Sequence, residues 1–183
     1  YEVFAAIDGL TGFNEGALKR YAGAKRQKRL LKLSTKSYEE ARELYGSIAN
    51  ISDESMRESI HESLRFGCFM SHVLLWQELL ESQIPQLVVL EDDVTVASNF
   101  SRRLRAVLQS LPVTWDLLYL NGCFKKMGPD FAPGVRISRG SLCTFGYVIS
   151  SGAVKKLSAA LERSNKPIDH ILDEEILRGK LLA

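Results

Sequence analysis

The chain has 183 residues, 24 Lys and Arg against 22 Asp and Glu, a formal net charge of +2 and 45% hydrophobic residues. This length and composition predict a single domain over residues 1–183 and exclude disordered and collagen-like chains. No apolar run approaches the roughly 18 residues of a membrane span, so any membrane contact is expected to be peripheral.

Three cysteines, Cys68, Cys123 and Cys143, lie far apart without a Cys-x-x-Cys pair. Their wide spacing argues against a disulfide scaffold and against a zinc knuckle. Because each lies within an apolar run, we expect reduced, buried thiols.

Basic residues concentrate over 19–32 in a chain that is otherwise slightly acidic. Such a stretch can meet nucleic acid, anionic lipid headgroups or a phosphorylated ligand, and a solvated helix face is the simpler alternative. Aromatic residues are not interleaved for base stacking, so we expect no nucleic-acid partner.

Three helices are predicted before the middle of the chain. Ser37 and Glu40 form a capping box that opens a helix over 38–49. A polar helix is expected over 54–65, and a helix apolar on nearly all sides over 67–82.

A short apolar strand over 87–90 follows, of the kind that is covered on both faces. Next come a helix capped by Ser98 and stopped by Pro112, a strand over 115–120 and a loop over 122–134. Two strands are then expected over 135–138 and 142–149. The chain ends with a helix capped by Ser150 or Ser151 and a helix over 169–178 that Gly179 stops. This order predicts an α/β fold with a mainly parallel central sheet flanked by helices.

An acidic triplet, Glu91-Asp92-Asp93, ends the apolar strand. In open α/β sheets ligands bind beyond the carboxyl ends of strands, and adjacent carboxylates suit a hard divalent cation that also takes substrate phosphate oxygens. A solvated turn is the alternative reading of the triplet.

Two further polar positions are ambiguous by themselves. Ser71 and His72 lie on the apolar helix, where buried donors need partners and a purely structural role is the alternative. Asp169 follows Pro167 and reads as a helix N-cap, and His170 is either a ligand or a surface residue.

Six segments, taken together and in order, resemble the family 25 glycosyltransferases, which include bacterial lipooligosaccharide galactosyltransferases and collagen galactosyltransferases. They are Phe4-Ala5-Ala6-Ile7-Asp8-Gly9, Gly67-Cys68-Phe69-Met70-Ser71-His72 with Trp76, Leu87-Val88-Val89-Leu90-Glu91-Asp92-Asp93-Val94, Trp115-Asp116-Leu117-Leu118-Tyr119-Leu120, Gly146-Tyr147-Val148-Ile149-Ser150 with Ala153, and Pro167-Ile168-Asp169.

The resemblance implies a GT-A-like nucleotide-sugar-binding fold and a UDP-sugar donor, commonly UDP-galactose. Glu91 and Asp93 match the metal site, which implies manganese (Mn2+) or magnesium (Mg2+). Asp8 and Gly9 match a donor-binding segment, and Ser71-His72 matches a family hallmark near the same pocket.

The family is inverting, so one group must take the proton of the acceptor hydroxyl. Asp169 matches the family's late aspartate and is the first candidate base, with Asp92 second. The family normally opens with a strand and an Arg-rich turn before the Asp-Gly segment, and it continues past the late aspartate into a C-terminal tail. The sequence shows none of these three features, so we expect the domain to lack its first strand and its C-terminal tail.

The acceptor implied by the resemblance is a glycan, lipooligosaccharide or hydroxylated protein. The compartment depends on the host: the cytoplasmic face of the inner membrane for the bacterial type, and the endoplasmic reticulum lumen for the collagen type. Two rivals remain. One is a noncatalytic or degenerate binding module that uses residues 19–32. The other is a metal-dependent phosphatase, which Glu91 disfavours because such enzymes place an aspartate nucleophile there.

Overall fold

The computed structural model describes residues 54–124, 127–164 and 166–183. The chain divides into two compact units, residues 1–75 with 161–167 and residues 76–160 with 168–183. The predicted helix over 38–49 and the basic stretch over 19–32 lie outside the described residues.

Helix α1 (Glu54–Glu81) is one continuous helix of 28 residues, where the sequence predicts two. The predicted break fell at Gly67, yet a helical glycine costs only about 1 kcal/mol relative to alanine. In the first unit Phe66 and Phe69 on either side of it are buried and stacked, with ring centroids 5.7 Å apart. That packing favours continuation of the helix through the glycine.

Three strands of the second unit form a sheet in the order β1 (Gln86–Leu90), β5 (Ser141–Ser150), β2 (Leu117–Phe124). Both outer strands pair antiparallel with β5. The structure is therefore mixed α/β, but the predicted mainly parallel pairing is wrong for these strands. Helix α2 (Phe100–Ser110) joins β1 and β2, which run in the same direction, while the chain enters β5 from a hairpin and inserts it between them in the opposite sense.

The hairpin consists of β3 (Met127–Ala132) and β4 (Val135–Ser138) and occupies part of the predicted loop over 122–134. Its Gly and Pro residues indicated a loop, but a two-stranded ribbon tolerates proline on an unpaired edge. Gly134 adopts a φ of +75° at the turn, where L side chains are strained.

Strand β1 is less covered than its apolar run predicts. Val89 is buried, whereas Val88 and Leu90 are 38% and 41% exposed, so the expectation of burial on both faces is wrong. Helix α2 begins at Phe100, and its N-cap residue is Asn99, whose side chain makes no capping hydrogen bond. Ser98 is therefore not the cap that the sequence predicts.

The last two helices follow the sequence closely. Helix α3 (Ser151–Arg163) is capped by Ser150, whose Oγ accepts a bond of 3.0 Å from the Ala153 amide. Helix α4 (Ile168–Leu177) ends before Gly179, which has a φ of +71°. At the core of the second unit, Trp76 Nε1 donates to the Tyr147 hydroxyl at 3.0 Å.

The cysteines differ from prediction. Cys123 and Cys143 form a disulfide with a Cα–Cα distance of 5.7 Å, and Cys68 is exposed. Cys123 lies opposite Leu142, so strand pairing brings Cys143 within bonding range. Sequence spacing does not show such pairing. Among the described residues no helix is both long and apolar enough to cross a membrane.

Candidate active site

The acidic triplet lies at the carboxyl end of β1, as predicted, although β1 is an outer strand of the described sheet. Asp92 and Asp93 are exposed and Glu91 is half-buried. The Val94 amide donates to the Glu91 carbonyl at 3.3 Å, so the chain turns immediately after the strand.

Glu91 is held against β5 by two hydrogen bonds. Thr144 Oγ1 donates to Glu91 Oε1 at 2.7 Å, and the Glu91 amide donates to the Phe145 carbonyl at 3.0 Å. A hydroxyl bond to a carboxylate is among the stronger neutral-donor bonds, so it fixes the direction of this side chain.

A bulge in β5 provides both contacts. Asn121 lies opposite Gly146 and Cys123 opposite Leu142, so β5 contains two more residues than β2 over this interval. Cys143 in the bulge has a φ of +81°, which is unusual for a residue with a side chain. Its amide donates to Asp169 Oδ2 at 3.1 Å.

Asp169 is the second residue of α4, one position inside the helix rather than its N-cap as predicted. Its Oδ1 accepts from the His170 amide at 2.8 Å, so both carboxylate oxygens bind backbone amides. A carboxylate in the first turn also interacts favourably with the helix dipole. His170 is exposed.

Glu91 and Asp169 therefore bind adjacent residues of one strand. Their carboxylates bind Thr144 and Cys143, whose Cα atoms are about 3.8 Å apart by standard backbone geometry. A predicted metal-site residue and the first candidate base are thus attached to the same part of β5, although 78 positions separate them in the chain.

Two residues that sequence reasoning missed lie beside Asp169. Burial raises the pKa of Tyr119, and the negative charges of Asp173 and Asp169 raise it further. Asp173 is buried one helical turn after Asp169, a spacing that is visible in the sequence. Tyr119 belongs to one of the six segments that carry the family resemblance, but its position near Asp169 depends on strand register.

The four other predicted site residues lie either outside the described residues or in the first compact unit. Asp8 and Gly9 lie outside the described part of the chain. Ser71 and His72 belong to the other compact unit, where Ser71 Oγ donates to the Gly67 carbonyl at 3.0 Å and His72 is buried. Their proximity to the acidic triplet stays a prediction.

A cavity of about 480 Å³ lies in the second unit, with Tyr119 among its lining residues. It is lined by α2, β2, the β3–β4 hairpin and the C-terminal residues, and its lining does not include Glu91, Asp92 or Asp93. The expected UDP-sugar pocket beside Asp93 therefore also stays a prediction.

The acidic triplet fits a divalent cation by the chemistry of its donor atoms. Three consecutive residues offer carboxylate oxygens, which are the ligands that magnesium and manganese prefer. Glu91 is already oriented by Thr144, and Asp92 and Asp93 are exposed.

Comparison with known proteins identifies one family. The model of the family described as glycosyltransferase family 25 (LPS biosynthesis protein) matches residues 1–130. The chain is 39% identical over 117 residues to procollagen galactosyltransferase 1-B of Xenopus laevis and 32% identical over 116 residues to inactive glycosyltransferase 25 family member 3 of Mus musculus. Each match covers 58% of this chain and 19% of the relative, so the chain spans about a fifth of the length of these relatives.

Proposed function

Because the chain belongs to glycosyltransferase family 25, we propose that it transfers a hexose, first of all galactose, from a UDP-sugar to an acceptor hydroxyl with inversion. The observation that carries the proposal is the attachment of Glu91 and Asp169 to adjacent residues of β5. Displacement at an anomeric carbon needs a charged site for the leaving diphosphate and a base for the incoming hydroxyl.

In this proposal Asp169 takes the proton of the acceptor hydroxyl, and Asp92 is the second candidate. The Cys143 and His170 amides hold the Asp169 carboxylate in one orientation, which favours productive placement of the acceptor. Tyr119 lies near this carboxylate: burial, the charge of Asp173 and then the charge of Asp169 raise the pKa of the tyrosine.

The donor side of the proposal rests on Glu91 and Asp93, which would hold Mn2+ or Mg2+. When bound, such an ion supplies positive charge that stabilises the leaving diphosphate. Asp8, Gly9, Ser71 and His72 are proposed to contact the donor, on a GT-A-like fold, by the family resemblance of their segments.

For the acceptor we propose a hydroxylated protein of the collagen type, with glycans and lipooligosaccharides as alternatives. Two relatives with 38–39% identity are named procollagen galactosyltransferases. The Cys123–Cys143 disulfide supports an oxidising compartment such as the endoplasmic reticulum lumen, because disulfides are rare in reducing compartments.

The test measures UDP release from UDP-galactose with a hydroxylysine-containing collagen peptide and Mn2+. Asp169→Asn should lower kcat by a factor on the order of 10² or more, the scale of one general base. Asp93→Asn should abolish transfer while folding is retained. Glu81→Gln, an exposed carboxylate at the end of α1, is the matched control and should be unchanged.

Turnover of Asp169→Asn within a few fold of wild type would move the base to Asp92. Equal activity of Asp93→Asn would contradict the metal site. Binding of UDP-galactose can be followed separately by the rise in melting temperature with and without Mn2+.

A noncatalytic binding module is the second candidate, and one observation favours it. Relatives named inactive or probable inactive are 31–35% identical over the same length of this chain. Sequence similarity therefore does not separate active from inactive members. Metal-dependent UDP binding together with transfer would exclude this candidate.

A further inference from the structure

We propose that the Cys123–Cys143 disulfide positions the carboxylate of Asp169 for proton transfer, with the Cys143 amide as the positioning group. The inference rests on the proposed function, in which Asp169 is the base. A covalent crosslink between β2 and β5 would thereby affect proton transfer at Asp169, at the start of α4.

The contact that carries the proposal is the 3.1 Å bond from the Cys143 amide to Asp169 Oδ2. The other bond of this carboxylate comes from His170, the next residue of the same helix, and moves with it. Of the two bonds, the one from Cys143 ties the carboxylate to the sheet.

The backbone of Cys143 explains why a crosslink matters here. Its φ of +81° lies in the region that L residues rarely adopt, and such a conformation persists only where its surroundings impose it. The bond to Cys123 joins this residue to β2 inside the β5 bulge, and so restrains the peptide that presents the amide.

Glu91 provides an internal comparison. Its carboxylate is held by the side chain of Thr144 rather than by the strained peptide. Loss of the disulfide should therefore affect proton transfer more than donor binding, and the effect should appear in kcat rather than in KM for the donor.

Reduction of the disulfide adds two electrons and two protons and leaves two thiols, while dithiothreitol is oxidised to its cyclic disulfide. Once released, Cys143 can relax toward an extended conformation, which turns its amide away from Asp169. We expect kcat to fall about tenfold, with KM for UDP-galactose unchanged.

The experiment compares wild type with Cys123→Ser, which removes the crosslink but keeps Cys143, each with and without dithiothreitol. Reduction should bring wild type to the level of Cys123→Ser and should not lower the variant further. Val154→Ala, a truncation in the buried face of α3, serves as the control for lost stability and should keep kcat under conditions where it is folded.

Hydrogen exchange at the Cys143 amide gives a readout that is independent of activity. We expect exchange to accelerate at least tenfold in Cys123→Ser and in Asp169→Ala, while the amide of the core residue Val148 stays protected. Val154→Ala should not change the Cys143 amide selectively.

The outcomes separate the two proposals. Unchanged kcat in an active Cys123→Ser protein, or unchanged exchange at Cys143, would overturn the positioning role while the transferase proposal stands. If the wild type binds no donor and transfers nothing, the proposed function is overturned. Faster exchange of the Cys143 amide in Cys123→Ser and Asp169→Ala would then still support the link between the disulfide and Asp169.

Discussion

Thr144 is a neutral residue whose hydroxyl sets the direction of a carboxylate in the candidate site. Its 2.7 Å bond to Glu91 Oε1 joins the end of β1 to the bulge of β5. Valine has nearly the same shape but lacks the hydroxyl, so Thr144→Val isolates the contribution of this bond.

We predict that Thr144→Val lowers kcat/KM about tenfold, because a hydrogen bond to a charged group is worth roughly 1.5–3 kcal/mol. Thr144→Ser keeps the hydroxyl and should retain most of the activity. Steady-state kinetics at several Mn2+ concentrations make the measurement. Equal losses in the two variants would contradict a role for the hydroxyl.

Glu175 is a buried carboxylate near the end of α4. Burial by itself raises its pKa, but hydrogen bonds from Lys180 and Arg178 and their positive charges outweigh burial and hold the pKa below its ordinary value. Lys180 Nζ lies 2.9 Å from Oε2, and Arg178 binds Oε1. The side chains after the helix thus neutralise a charge within it.

The pKa of Glu175 is lower in the folded protein than in the unfolded chain, where it has the ordinary glutamate value of about 4.3. The charged side chain therefore stabilises the fold fully above the unfolded pKa. This stabilisation is lost as the pH falls through the pKa of the folded state. We predict that Glu175→Gln costs roughly 2 kcal/mol at pH 7 and clearly less at pH 3. Urea unfolding at both pH values measures the difference.

The neighbouring Glu174→Gln is the control, because its contact with Arg178 is longer, at 3.6 Å, and less buried. Its cost should stay below about 0.5 kcal/mol. A Glu175→Gln penalty that is equal at pH 3 and pH 7 would show that shape rather than charge matters at this position.

At the scale of elements, α3 depends on its first cap. Ser150 Oγ accepts from the Ala153 amide, one of the amides that a helix start leaves without a helical partner. Ser150 also ends β5, so the same residue closes the strand and opens the helix.

We predict that Ser150→Ala lowers the free energy of unfolding by about 1 kcal/mol, the usual cost of a lost N-cap. Ser158→Ala is the matched control, since its exposed Oγ bonds only the Lys155 carbonyl within the same helix. Thermal unfolding of both variants makes the comparison. A loss in Ser158→Ala as large as that in Ser150→Ala would contradict the capping role.

At the scale of the whole molecule, the disulfide closes a loop between residues separated by 20 positions. It spans the β3–β4 hairpin and joins β2 to β5. A crosslink of this size restricts the unfolded chain and stabilises the fold by about 3 kcal/mol in the chain-entropy account.

We therefore predict that Cys123→Ser lowers the free energy of unfolding by about 3 kcal/mol under oxidising conditions. The wild type should match the variant once dithiothreitol is present. Urea unfolding at constant pH provides the values. A wild-type stability that does not respond to reductant would contradict the contribution of the crosslink.

Local patterns in the sequence were sufficient for much of the second unit. Apolar spacing predicted α2 and α3, Ser150 was one of two serines predicted to cap α3, and Gly179 was predicted to stop α4. These features depend on residues within a few positions of one another, so helix period, capping chemistry and glycine conformation determine them. The ordered segments also predicted the family to which the chain belongs.

Only the tertiary structure decided the direction of β5, the disulfide and the attachment of Glu91 and Asp169 to adjacent residues of β5. Each depends on which strands are neighbours and on their register. Strand β5 lies between β1 and β2, and it contains a bulge of two extra residues. Cys143 and Thr144, which bind Asp169 and Glu91, lie in this bulge. Side chains that alternate along one strand do not specify the partner strand. Register and bulges follow from the packing of the whole sheet, which local sequence does not contain.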